Sequence, residues 1–150
     1  METKVRDLYL ALGAETGNDY YLSAARFFAI KTDGTYRLIH SAEDVYDGLE
    51  SLSSVATLTI NDEAIAVETC GWAAPVDNDN GSDEYDGIAP SQHPLRRRVR
   101  LLALVTRQYT AASALGFADD DEVITDSGQA KGSLADALLL AMKTLVSKTN

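Results

Sequence analysis

Apolar residues recur along this chain at two spacings, about three and a half residues and two, and each change of spacing marks an element. Val5, Leu8, Tyr9 and Leu12 step by three and four, which predicts an amphipathic helix over residues 3–12 with Gly13 placed to stop it. Residues 26–39 switch to aromatic and β-branched runs on either side of Asp33-Gly34. That pattern predicts a hairpin, with Asp-Gly supplying the positive φ angles of a type I′ turn. Ser41-Ala42-Glu43-Asp44 has the look of a capping box, followed by the stripe Val45, Leu49 and Leu52 of a short helix. Residues 55–60 read as a strand or as the ragged exit of that helix.

The second half reads as sheet and then helix. Residues 64–70 and 99–105 are apolar on nearly both faces, as buried strands are. Residues 107–110 turn the second of these back into 111–117, where Ala112, Ala114 and Gly116 share one face and Ser113, Leu115 and Phe117 the other. The face of small side chains lets a helix approach closely. Residues 123–125 form a short edge strand. Leu134, Leu138, Ala141 and Leu145, widened by Leu139, Met142 and Val146, then predict a helix over 134–146 that lies on a sheet or on a second chain.

Helices at the N-terminus, middle and C-terminus around an antiparallel sheet of about five strands make an α+β fold, and residues 1–150 are expected to form a single globular domain. The order of elements resembles the profilin-like and roadblock-like arrangement. A likeness at the level of element order carries no function.

Composition narrows the function classes. The 150 residues carry 13 basic and 23 acidic side chains, a formal net charge of −10. Such a balance disfavours nucleic acid, whose binding depends on Lys and Arg at phosphates, and it disfavours anionic lipid. No apolar run approaches the roughly 20 residues that span a bilayer. One cysteine forms no internal disulfide, which fits a cytoplasmic setting.

The stretch 70–100 gathers the chemistry-bearing residues. Cys70 and Trp72 open it, the acidic run Asp77, Asp79, Asp83, Glu84 and Asp86 follows, and His93 leads into Arg96, Arg97, Arg98 and Arg100. An EF-hand register fails: with Gly81 at position six, Val76 falls at one and Gly87 at twelve. A looser Asp77/Asp79/Asp83 cation site is outweighed by a solvated loop. Cys70, His40 and His93 lack zinc-site spacing, so neither metal nor cofactor is expected. A Cys70 nucleophile with His93 as base is one catalytic arrangement. Alternation puts Arg96, Arg98 and Arg100 on one face, where they would hold an anionic ligand or acidic partner, and Arg97 on the other. Against this stands neutralisation by the acidic run, and Trp72 reads as a core anchor before it reads as a stacking platform.

The segments Gly71-Trp72-Ala73-Ala74-Pro75, His93-Pro94 with Arg96-Arg97-Arg98-Val99-Arg100, and Gly132-Ser133-Leu134-Ala135-Asp136-Ala137-Leu138 resemble an uncharacterised protein family of actinobacteria and their phages. The similarity covers the chain from Cys70 onward. It implies an intracellular bacterial or phage setting and transfers no catalytic residue. The leading expectation is a non-enzymatic protein-interaction or regulatory module with a protein partner or self-association as a homodimer. The alternatives are a small hydrolase or transferase, or an anion-ligand binder, at the 70–100 loop, and an acidic mimic that blocks a nucleic-acid-binding protein.

Overall fold

The long apolar strands of the second half become the centre of one antiparallel sheet. A computed structural model describes residues 2–17, 19–73, 92, 94–120, 122–128 and 133–148. In chain order the elements are α1 (Glu2–Thr16), β1 (Ala25–Lys31), β2 (Tyr36–Ala42), α2 (Val45–Val55), β3 (Asp62–Ala73), β4 (Arg97–Thr106), β5 (Ala111–Phe117), β6 (Val123–Gly128) and α3 (Ser133–Lys148). The six strands lie in the order β2-β1-β3-β4-β5-β6. The α+β class and the helix–hairpin–helix–strands–helix order are as the sequence implies. Residues 123–128 complete a sixth strand.

The two-residue period sorts the sheet's side chains onto two faces. On one, Phe28, Ala66, Leu104, Ala112 and Ala114 pack against Val5, Leu8, Tyr9 and Leu12 of α1. On the other, Phe27, Ile65, Val67 and Val105 pack against Leu49 and Leu52 of α2 and Leu138, Met142 and Leu145 of α3. The small face of β5 does let a helix come close: a Cβ added at Gly116 would lie 2.1 Å from the Tyr9 hydroxyl oxygen.

Four local expectations need correction. α1 does not stop at Gly13 but runs to Thr16, because burying its apolar stripe on the sheet outweighs the roughly 1 kcal/mol cost of an internal glycine. The β1–β2 connection is not type I′, since Gly34 (φ 90°) has positive φ and Asp33 does not. Three residues lie between the bonded pair Lys31 and Thr35, with Gly34 N–H donating to the Lys31 carbonyl at 2.9 Å and Lys31 N–H to the Thr35 carbonyl at 2.8 Å. The Asp33 carboxylate instead accepts the Thr35 amide and hydroxyl at 2.9 and 2.7 Å, a bond that a right-handed turn residue makes locally. The α2 cap is Asp44, which accepts from the amides of Tyr46 and Asp47, whereas Ser41 still belongs to β2. Residues 56–60 form no strand; α2 ends cleanly at Val55, where the Ala56 amide donates to the Leu52 carbonyl.

Candidate functional site

β3 and β4 run further than their neighbours. Pairing of β1 with β3 ends at Arg26–Glu68, so the end of β3 from Thr69 to Ala73 has β4 on one side and no β1 partner on the other. Their α1-facing side chains alternate as Glu68, Cys70 and Trp72 on β3 and Arg100 and Arg98 on β4, with Cys70 opposite Arg100 and Trp72 opposite Arg98. Arg97 points to the other face, as alternation requires.

A buried charge cluster forms the inner end of this row. The Glu68 side chain is 1% exposed and that of Arg100 0%, with Arg100 Nε 3.5 Å from Glu68 Oε2. Arg26 donates to Glu68 Oε1 from Nε at 2.7 Å and also from Nη2. Arg100 Nη2 donates to the Tyr9 backbone carbonyl at 2.5 Å, and its guanidinium carbon sits 3.8 Å from the Tyr9 ring centroid. A charged donor on a helix carbonyl and a cation over an aromatic face both strengthen where water is excluded. Burial pushes the Tyr9 hydroxyl well above its ordinary range, although Arg100 pulls it down. The cluster therefore pins α1 to the sheet.

The outer end fastens the segment after α1. Arg98 Nε donates to the Tyr20 carbonyl at 2.6 Å, and the Cys70 thiol donates to the Asp19 carbonyl at 3.7 Å. Cys70 is half-buried, and burial pushes its thiol up; a nearby amide and the Arg98 and Arg100 charges oppose that without reversing it. An activated nucleophile needs the opposite shift. Its supposed base, His93, lies outside the described residues, as do Asp77, Asp79, Asp83, Glu84 and Asp86.

Beyond Arg98 the row opens to solvent. The Arg98 guanidinium lies 4.6 Å from the Tyr21 ring centroid and 5.0 Å from that of Trp72, and Arg96 lies 4.8 Å from the same Trp72 ring. Tyr21 is 66% exposed. Trp72 is only partly buried, so it is a surface stacking residue rather than a core anchor. Its place past the end of β1 leaves nothing of that strand to cover it. On the opposite face Arg97 pairs with Asp119 through Nη2 at 2.6 Å and stacks over Phe117 at 3.9 Å. A partner from the β5–β6 turn was not expected for it.

Of the sequence-predicted residues, the fold brings together Cys70, Trp72, Arg96, Arg98 and Arg100. Glu68, Arg26, Tyr9 and Tyr20 were missed. Glu68 was the legible one: it alternates with Ala64 and Ala66, so its carboxylate had to enter the apolar face under α1 and take a cation there. Among the described residues no three His, Cys, Asp or Glu side chains gather as a metal site requires. No helix among them is long and apolar enough to cross a membrane. The chain matches no family model, no curated protein and no solved structure. The site residues therefore rest on the geometry alone.

Proposed function

We propose that this chain is a non-enzymatic interaction module that docks an acidic segment of a protein partner on the projecting end of β3 and β4. The observation that carries the reading is how the chemistry-bearing side chains are used. Arg100, Arg98 and Cys70 each bond a backbone carbonyl of α1 or of the segment after it. They act as fasteners, and what they fasten in place is a partly exposed ledge of Tyr21, Trp72 and two arginines.

Trp, Tyr and Arg are the residue types that dominate binding energy at interfaces. A cationic ledge on a molecule of net charge −10 favours a partner that presents carboxylates locally. The hydrolase or transferase reading draws no support from Cys70, whose thiol is pushed up and bonded to a carbonyl. A reducing cytoplasm, where that lone thiol persists, completes the proposal.

The test compares affinity capture by the full chain and by a Tyr21→Ala, Trp72→Ala double variant, with size-exclusion light scattering on both. Tyr21 is mostly exposed and Trp72 only partly buried, so circular dichroism should show the variant folded. A captured protein that the double variant loses, and whose release is promoted by salt, supports the reading. A chain that captures nothing sensitive to the two substitutions overturns it.

A further inference from the structure

α1 contacts β4, β5 and β6 most, and on the hairpin side of the same face Ile30 and Tyr36 stay only partly buried. Between α1 and the β1–β2 hairpin runs a cleft of about 430 Å³, far from the ledge described above. That volume falls in the range of small-molecule sites, roughly 300–1,000 Å³. Its floor is apolar, made by Leu8, Ile30, Ala64 and Leu104, and Tyr36 forms one wall. The Tyr36 ring is held edge-on by Phe28 at 5.8 Å and 83°, so its orientation is fixed by packing.

The charge around the mouth is uneven. Asp7, Asp33 and Glu63 face Lys4 and Lys31, three acids against two ammonium groups, for a local net charge of −1. Lys4 lies 3.8 Å from Glu63, a loose surface pair with the lysine 69% exposed. Asp33 is held by Thr35, and Asp7 on the exposed side of α1 has no ion pair among the described residues. The whole molecule adds a field of the same sign, since its net charge is −10. An apolar floor, an aromatic wall and an acidic mouth together select a cation on an apolar body.

We infer that the cleft between α1 and the β1–β2 hairpin binds a small organic cation, a primary ammonium carried on an aromatic or alkyl body. The body lies on Leu8, Ile30, Ala64 and Leu104, and the ammonium sits between Asp7 and the Tyr36 ring. A carboxylate on the same body meets the acidic mouth and is rejected.

The test titrates the full, isotope-labelled chain with phenethylammonium chloride, 3-phenylpropionate and 2-phenylethanol, read by amide chemical shifts. Phenethylammonium should move the amides of Leu8, Ile30, Tyr36 and Ala64 and saturate near ~1 mM, a reasonable ceiling for so small a ligand. The carboxylate should bind about tenfold or more weakly, with the alcohol between them. Asp7→Asn should weaken the ammonium several-fold. Ala11→Trp, at an exposed cleft position on α1, should fill the site and abolish the shifts while the fold persists. The inference fails if the carboxylate binds as well as the ammonium. It fails equally if neither moves these amides at about 20 mM, or if the shifts survive Ala11→Trp.

Discussion

Replacing Glu68 with glutamine keeps the shape of the side chain and removes the one carboxylate that Arg26 and Arg100 share. The two arginines respond differently. Arg26 has a side chain 22% exposed and can recover water. Arg100 is 0% exposed and keeps the Tyr9 carbonyl and the Tyr9 and Tyr20 rings. Breaking a buried ion pair costs roughly 3–5 kcal/mol, because the surviving charge stays buried without a counter-ion. Rehydration of Arg26 and the remaining amide oxygen place this case at the low end, about 3 kcal/mol. For a chain of this length that lowers Tm by about 6–12 °C.

Urea unfolding followed by circular dichroism measures the loss. The decisive control is the same substitution in an Arg100→Met background. Arg100→Met alone leaves the Arg26–Glu68 pair intact and should cost about 1–2 kcal/mol. Removing the Glu68 charge there should cost about 1 kcal/mol or less, since no dry arginine is left unpaired. A loss below about 1 kcal/mol in the wild-type background, or equal losses in both, would refute the claim that Glu68 compensates a buried Arg100.

Three further expectations follow from particular contacts. Gly116→Ala should destabilise by about 1–3 kcal/mol, because the new Cβ falls 2.1 Å from the Tyr9 hydroxyl; adding Tyr9→Phe removes that oxygen and should restore part of the loss in thermal melts. Asp62 would be raised by burial, but Arg37, at 2.6 and 2.9 Å, and the Thr59 amide hold it below its ordinary value of 3.8. A depressed carboxyl stabilises fully above its unfolded value and loses that contribution as pH falls through the folded one, so unfolding free energy should drop below about pH 4. Asp62→Asn should be less stable at neutral pH and lack that acid step; an unchanged acid limb counts against the ion pair. Cys70 should react with a disulfide reagent at pH 8 at least about tenfold more slowly than glutathione, as its burial dictates, and a free-thiol rate would contradict the geometry.

The charge cluster shows where sequence reasoning loses hold. Arginine alternation placed Arg98 and Arg100 on one face correctly, yet it suggested an anion site. The actual partners, Glu68 and the carbonyls of Tyr9 and Tyr20, come from β3, α1 and the segment after α1, up to 91 residues away in sequence. Backbone carbonyls leave no mark in a side-chain pattern. Trp72 went the same way: its neighbours predicted burial, and the overhang of β3 beyond β1 leaves it only partly buried.

Local periodicity was enough to set which residues form helices and strands and which side of each faces inward. Val5, Leu8, Tyr9 and Leu12, or Ala112, Ala114 and Gly116, could pack in no other sense without exposing an apolar row. That information is short-range, carried by spacings of two and of three to four residues. The choice of neighbours was decided only by the tertiary structure. It set β1 beside β3, put α1 across β4–β6 so that a cleft opens along the hairpin, and gave Arg100 a buried carboxylate in place of an external anion. Pairing energies between distant segments settle such choices, and they depend on the whole packed arrangement at once.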